Sequence, residues 1–201
     1  MSRMPMLLAS AALAASLAGC MSDGMNSDMD SGTMASGSMA ANPTVGGAEM
    51  LASRNIVQNA VNSPIHTTLV AAVQQAQLAD TLSGAGPFTV FAPTNDAFAK
   101  LPSAAVQGLM QDANRTALQG VLTYHVVPGR LTSADLMRQI RAGNGRATLT
   151  TVQGGTLTAS MMNGRVMLTD ARGGMSHVQI ADVMQSNGVI HSVDTVLMPA
   201  A

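Results

Sequence analysis

The Asn-Gly pairs Asn163-Gly164 and Asn187-Gly188 punctuate the C-terminal part of this chain, each between runs rich in β-branched residues. A two-residue type I′ hairpin turn needs positive φ at both central positions, which Asn and Gly accept at low steric cost. Asn163-Gly164 is therefore a strong hairpin turn, and Asn187-Gly188 reads as a second tight turn. The surrounding runs, 148–153, 156–161, 165–170, 176–184 and 189–198, alternate or are β-rich and predict strands.

The preceding half reads as helices. Ile56, Val57, Ala60 and Val61 mark one short apolar face. Ser63-Pro64 reads as an N-cap with Pro at the first helical position, and Leu69, Val70, Val73 and Ala76 continue a helix that stops near Leu82-Ser83-Gly84. One strand interrupts the pattern: Pro87-Phe88-Thr89-Val90-Phe91-Ala92-Pro93 keeps its prolines at the ends, where no ladder hydrogen bond is lost. Thr94 follows as an N-cap candidate, with Asp96 in the first turn where a carboxylate complements the helix dipole. Ser103 and Asp112 are further cap candidates, Leu109, Val121 and Leu122 lie on later helical stretches, and Thr132-x-x-Asp135 resembles a capping box with Asp in place of Glu. Helices with one strand, followed by a run of strands, predict an α+β domain with an antiparallel sheet or sandwich.

The hydrophobic fraction of 47% suffices for a core, but with three Phe, one Tyr and no Trp that core must be built from aliphatic side chains and Met. The net charge of -1 points to no particular partner, and a pI near 6.4 with no recognition motif argues against nucleic acid. Charge is unevenly placed: 21–50 carries Asp23, Asp28, Asp30 and Glu49 without Lys or Arg, whereas 130–172 carries six Arg against Asp135 and Asp170. Arg138, Arg141 and Arg146 are candidates for a face that docks an anionic lipid or polysaccharide, against the plainer reading of a solvated surface.

The N-terminus reads as an address. Arg3 precedes an apolar stretch from Met6 to about Ala18, too short to span a bilayer, which takes ~20 apolar residues. It ends in Leu17-Ala18-Gly19-Cys20, which resembles the bacterial lipobox. That resemblance implies cleavage of 1–19 as a signal peptide, lipidation of Cys20, export, and anchoring in the envelope; Met21 in place of Asp favours the outer membrane. Residues 20–47 read as a Met/Ser/Gly/Asp-rich tether with too little apolar surface to offset its ordering entropy. Met21, Met25, Met29, Met34 and Met39 recur along it, and thioethers are soft ligands suited to Cu(I) or targets for oxidants.

Three segments of the remaining 48–201 resemble the fasciclin (FAS1) family: Gly86-Pro87-Phe88-Thr89-Val90-Phe91-Ala92-Pro93-Thr94-Asn95-Asp96-Ala97-Phe98, then Leu122-Thr123-Tyr124-His125-Val126-Val127-Pro128-Gly129, then Gly188-Val189-Ile190-His191-Ser192-Val193-Asp194-Thr195-Val196-Leu197. The resemblance implies a wedge-shaped twisted β-sandwich with several helices packed at one side, and a non-catalytic adhesion or binding module without a cofactor. Its partner would be a protein, a polysaccharide or a matrix component, and the isolated domain would be monomeric. In animal relatives the Tyr-His block is implicated in integrin contact, which makes Tyr124 and His125 either contact residues or structural ones. His125 and His191, with Asp96 or Asp194 nearby, could suggest an acid-base pair, but a semi-buried His more commonly locks a loop onto the core. No zinc-ligand spacing, nucleophile elbow or P-loop is present.

Overall fold

The structure, a computed structural model, describes residues 42–200. The expected signal peptide 1–19, the lipidation candidate Cys20 and the candidate Cu(I) ligands Met21, Met25, Met29, Met34 and Met39 lie outside the described residues. The folded unit begins with a small hairpin, β1 (Thr44–Val45) and β2 (Ala48–Glu49). Val45 and Met50 are buried in the core, so domain structure begins before residue 48, where composition alone places the end of the tether. Gly46 and Gly47 supply the positive φ that this turn requires.

Helices follow: α1 (Ile56–Asn62), α2 (Thr67–Gln75) and α3 (Ala79–Ser83). The single helix expected from Leu69 to Leu82 is two, because Gln77 turns left-handed at φ 56° between them. The Ser63-Pro64 cap is not formed. Ser63 instead ends α1, and its buried hydroxyl meets His66 Nδ1 at 2.8 Å. The apolar face of α1 is also rotated from expectation: Val61 is 55% exposed and Asn59 is fully buried. The Asn59 amide accepts from Leu51 N–H at 3.2 Å, donates to the Leu51 carbonyl at 2.7 Å and also bonds Gln185, so a polar side chain holds the chain entering the helix.

Strand β3 (Phe88–Pro93) is almost wholly buried and leads into α4 (Asn95–Ala99) and α5 (Ser103–Leu109). Ser103 begins α5 and does not cap it, since Pro102 occupies that position; Asp112 opens a 3₁₀ turn, Asp112–Asn114. Then come α6 (Arg115–Tyr124), β4 (Val126–Pro128) and α7 (Ser133–Ala142). Thr132 and Asp135 form the reciprocal capping box at the start of α7, and hydrogen bonds from Thr132 hold the Asp135 carboxyl below its usual pKa.

The strand-rich end comprises β5 (Arg146–Thr150), β6 (Thr156–Met162), β7 (Arg165–Thr169), β8 (Met175–Gln185) and β9 (Gly188–Val193). Asn163 and Gly164 form the two-residue β6–β7 turn with φ of 51° and 77°. The second turn is shifted by one residue: Gln185 pairs with Gly188, so Ser186 and Asn187 occupy its centre. Gly188 is needed for a different reason, because a Cβ there would lie 2.1 Å from the Phe88 carbonyl oxygen.

All seven main strands join one sheet in the order β4-β3-β9-β8-β7-β6-β5, antiparallel except for β3 with β9. The sandwich character comes from β8. Its first residues pair with β7, its later ones pair with β9, and bulges between Val178 and Val183 turn the corner. The sheet nearly closes, since Val152 N–H beyond β5 donates to the Val126 carbonyl of β4 at 2.8 Å. One apolar cluster fills the curl beneath α7 (Phe91, Tyr124, Leu136, Leu149, Leu157, Leu168), and another packs α1, α2, α3 and α6 against β3 and β9.

Candidate binding surface and the buried polar framework

The first candidate group, Thr94-Asn95-Asp96, sits at the β3–α4 turn. Thr94 Oγ1 accepts from Ala97 N–H at 3.3 Å and caps α4, and Asp96 is exposed in the first turn. Asn95 reaches elsewhere. Its Oδ1 accepts from Thr68 N–H and the Thr67 hydroxyl, both at 3.1 Å, and its Nδ2 donates to the Pro64 carbonyl at 3.0 Å. Since α2 has no side-chain cap of its own, Asn95 supplies one across the fold.

Tyr124 and His125 have essentially no surface to offer a partner. The Tyr124 hydroxyl donates to the Thr156 carbonyl at 2.7 Å and accepts from Ala171 N–H at 3.0 Å; burial holds its pKa above the usual phenol value. His125 Nε2 accepts from Leu197 N–H at 3.0 Å, which leaves the proton on Nδ1 to donate to the Val121 carbonyl at 2.8 Å. Burial pushes its pKa down to about 4, so the ring is neutral. The integrin-type contact therefore has no geometric basis here: His125 ties the end of α6 to the C-terminal segment, and Tyr124 ties it to the start of β6 and the β7–β8 loop.

His191 follows the same plan with the opposite tautomer. Its Nδ1 accepts from Asp182 N–H at 3.2 Å, its Nε2 donates to the Leu131 carbonyl at 2.8 Å, and its ring stacks on Phe91 at 5.6 Å. Burial lowers its pKa as well. Asp182, in the left-handed region at φ 59°, accepts from Ser133 N–H at 2.6 Å, so the bulge in β8 and the start of α7 are held by one network. His66, which sequence reasoning passed over, is the third such histidine: its nitrogens meet Ser63 and Ser192 hydroxyls at 2.8 and 3.1 Å, and burial pushes its pKa down to about 4. An apolar cavity of about 70 Å³ beneath α1, α2 and α3 is lined by Ile56, Val70, Leu82 and Leu122, and the His125 that touches it already has both nitrogens engaged. These geometries leave none of the three rings free to exchange a proton with a ligand.

Asp194, like the exposed Asp96 a family-block candidate, reaches the surface, and it does so within a set of polar neighbours. Its Oδ1 accepts from His177 N–H at 2.8 Å and the Thr195 hydroxyl at 3.1 Å. Its Oδ2 lies 3.6 Å from both Lys100 Nζ and His177 Nδ1. Burial acts to raise its pKa, but the His177 amide, the Thr195 hydroxyl, Lys100 and His177 outweigh it and hold the carboxyl below the usual range. Beside Asp194 an open cleft of about 460 Å³ is lined by Met162, Asn163, Arg165, His177 and Gln179. The predicted arginine face is divided: Arg138 and Arg141 are exposed on α7, which packs its Leu136 and Ile140 on the inner side of β5, whereas Arg146 alternates with buried Ala147 and points outward. Arg138 pairs with Asp135 at 3.2 Å.

A family model for the fasciclin domain matches residues 64–199, which include all of these elements from α2 onward. The chain belongs to the fasciclin domain family. Protein sll1483 of Synechocystis sp. is 44% identical over 144 residues, covering 72% of this chain and 73% of that protein. The cell surface glycolipoprotein MPB83 of Mycobacterium bovis is 34% identical over 168 residues, covering 81% and 69%. Among solved structures, a FAS1 domain pair from the insect cell adhesion molecule fasciclin I matches with a TM-score of 0.65 at 19% identity, covering 72% of this chain and 51% of that one, so this chain spans about half of the pair.

Fasciclin domains are commonly adhesion or binding modules, and the geometry of this one explains what its block residues do. Thr94, Asn95, Tyr124, His125 and His191 hold turns and helix ends from inside. Sequence reasoning missed Asn59, His66 and Asp182, and read Asn187 only as a turn residue. Asn187 accepts from Ile56 N–H at 3.0 Å and donates to the Leu82 and Gly84 carbonyls at 2.8 and 3.1 Å, joining α1, α3 and the β8–β9 turn. A polar residue inside an apolar helical face, as at Asn59, was the available signal for one of them.

Proposed function

We propose that the chain is a non-catalytic binding module of the bacterial envelope: exported, cleaved before Cys20, and held to the membrane by lipid on that residue. Residues 20–41 would tether the folded domain, which would grip a protein, polysaccharide or matrix component through its exposed faces. The observation that carries the reading is the allocation of polar groups. The buried histidines are each bound on both ring nitrogens to backbone or hydroxyl partners, and the exposed polar residues lie on an open surface. A relative named as a cell surface glycolipoprotein suits a lipid-anchored arrangement. Among the described residues no helix is long and apolar enough to cross a membrane; on this reading the acylated N-terminus is the anchor.

Two experiments test this reading. Cys20→Ser is expected to move the protein from the membrane to the soluble fraction; a variant that still needs detergent for extraction refutes lipidation. The Cys20→Ser chain, immobilised and exposed to envelope and matrix extracts, is expected to retain a partner through the folded domain. If nothing is retained and Cu(I) is bound only while Met21, Met25, Met29, Met34 and Met39 are present, the function moves to the Met-rich segment, whose spacing is the feature that favours this second reading.

A further inference from the structure

The outward face of β6, β7 and β8 gathers polar side chains beside Asp194, which the fold holds in place through its Oδ1. Met162 pairs with Arg165 across the β6–β7 hairpin, and Met167 pairs with His177 across β7 and β8. Asp194 follows directly after β9 beside His177, its N–H donating to the His177 carbonyl at 3.2 Å. Asn163, Arg165, Gln179, His177 and Asp194 line the cleft of about 460 Å³, within the ~300–1,000 Å³ typical of small-molecule sites. Arg165 is exposed and enters no ion pair among the described residues.

The charges in this cleft select among ligands. Arg165 presents a planar fork suited to a carboxylate. Asp194 is held rigidly through Oδ1, and its Oδ2 faces two cationic or hydrogen-bonding nitrogens at 3.6 Å, beyond hydrogen-bond length, with lone pairs still available. An ammonium group in the cleft would share it with Arg165 and would find Lys100 already 3.6 Å from Asp194 Oδ2, which disfavours amine ligands. A phosphate dianion would face the fixed Asp194 carboxylate with twice the charge of a carboxylate ligand. A ligand with one carboxylate and several hydroxyls satisfies every group: carboxylate on Arg165, hydroxyls on Asp194, Asn163 and Gln179, and an apolar edge on Met162, which is 44% exposed.

We propose that this cleft binds an acidic sugar, a uronate unit of a carboxylated polysaccharide. The assignment rests on the binding-module reading above and names its ligand class and its site. Arg146, outward on β5 in the row that continues through Ser160, Met167 and His177, extends the positive surface along which a polymer would lie.

The test is calorimetric titration of the full chain carrying Cys20→Ser with tetragalacturonate, with maltotetraose as neutral control and phosphatidylglycerol vesicles as a separate anionic probe. Tetragalacturonate is expected to bind, more weakly as salt rises, and maltotetraose not to bind. Arg165→Ala should weaken binding at least about tenfold, as for loss of a bidentate charged pair, with an unchanged melting temperature; Arg165→Lys should recover part of the loss. No uronate binding, equal binding of the neutral sugar, indifference to Arg165→Ala, or Arg165-dependent capture by vesicles without uronate binding each overturns the proposal. If the parent chain still retains a partner from matrix extracts while Arg165→Ala retains it equally, the cleft assignment fails and the binding-module reading stands. If the parent retains nothing, that reading fails as well.

Discussion

The interior beside β3 and β9 and the outward face of β6 to β8 treat the same residue types in opposite ways. Inside, His66, His125 and His191 are buried and neutral, each ring nitrogen bonded to a backbone or hydroxyl group. Outside, His177 is 37% exposed along its side chain and lies beside an ionised Asp194 that has Lys100 as a second neighbour. Burial decides the difference. A desolvated imidazole stays neutral and serves as a donor-acceptor pair that joins loops, whereas a solvated one beside a carboxylate is free to meet a ligand. The family blocks mark the first role more often than the second, so a matching motif here reports framework before contact.

Acid should break that contrast most strongly. His66 and His125 titrate near 6.5 in an unfolded chain and near 4 in the folded one. Between those values the unfolded chain binds protons that the folded chain excludes, so stability is full above about pH 6.5 and falls as pH drops toward 4. At about 1.4 kcal/mol per pH unit, each histidine accounts for about 3 kcal/mol of the loss, large against the ~5–15 kcal/mol of an ordinary domain. Asp194 acts in a lower window: its depressed pKa contributes stability above the ordinary carboxylate range, lost as pH falls through the folded value. Denaturant titrations between about pH 7 and pH 4 check this, and a flat midpoint across that range would mean that the histidines are not held neutral.

Asn187→Ala should follow, with a loss of about 3 kcal/mol, because three partly buried hydrogen bonds to Ile56, Leu82 and Gly84 disappear together. Chemical denaturation reads this directly, and a loss below about 1 kcal/mol would show that the turn holds without it. Tyr124→Phe should cost about 1–2 kcal/mol by leaving the Thr156 carbonyl and the Ala171 N–H without their shared partner. At the small end, replacing Arg138 and Arg141 with Ser should change stability by less than about 0.5 kcal/mol, since both are exposed and the Arg138–Asp135 pair is a surface one. A larger change would show that the outer side of α7 is part of the framework after all.

Much of this was legible along the chain. Asn163-Gly164 produced the β6–β7 hairpin, Thr94 and Thr132 capped their helices, and the prolines bounded β3, because each signal acts within a few residues of itself. Where the reading failed, the decision involved partners that the fold brings in, such as Ser192, Asn95 and Gln185. Ser63 resembles an N-cap until His66 and Ser192 converge on one another, and α2 takes its cap from Asn95, 27 residues from Thr68. Val61 lies exposed, against expectation, and Asn59 is buried, where its amide bonds Leu51 and Gln185.

The sequence by itself determined the α+β class, the order of helices and strands, and the family, since periodicity, caps and turn residues are local and the blocks are contiguous. Only the tertiary structure decided which polar residues lie inside and which remain available. That choice depends on desolvation and on hydrogen bonds between segments as distant as Asn187 and Ile56, 131 residues apart, and no local pattern records either.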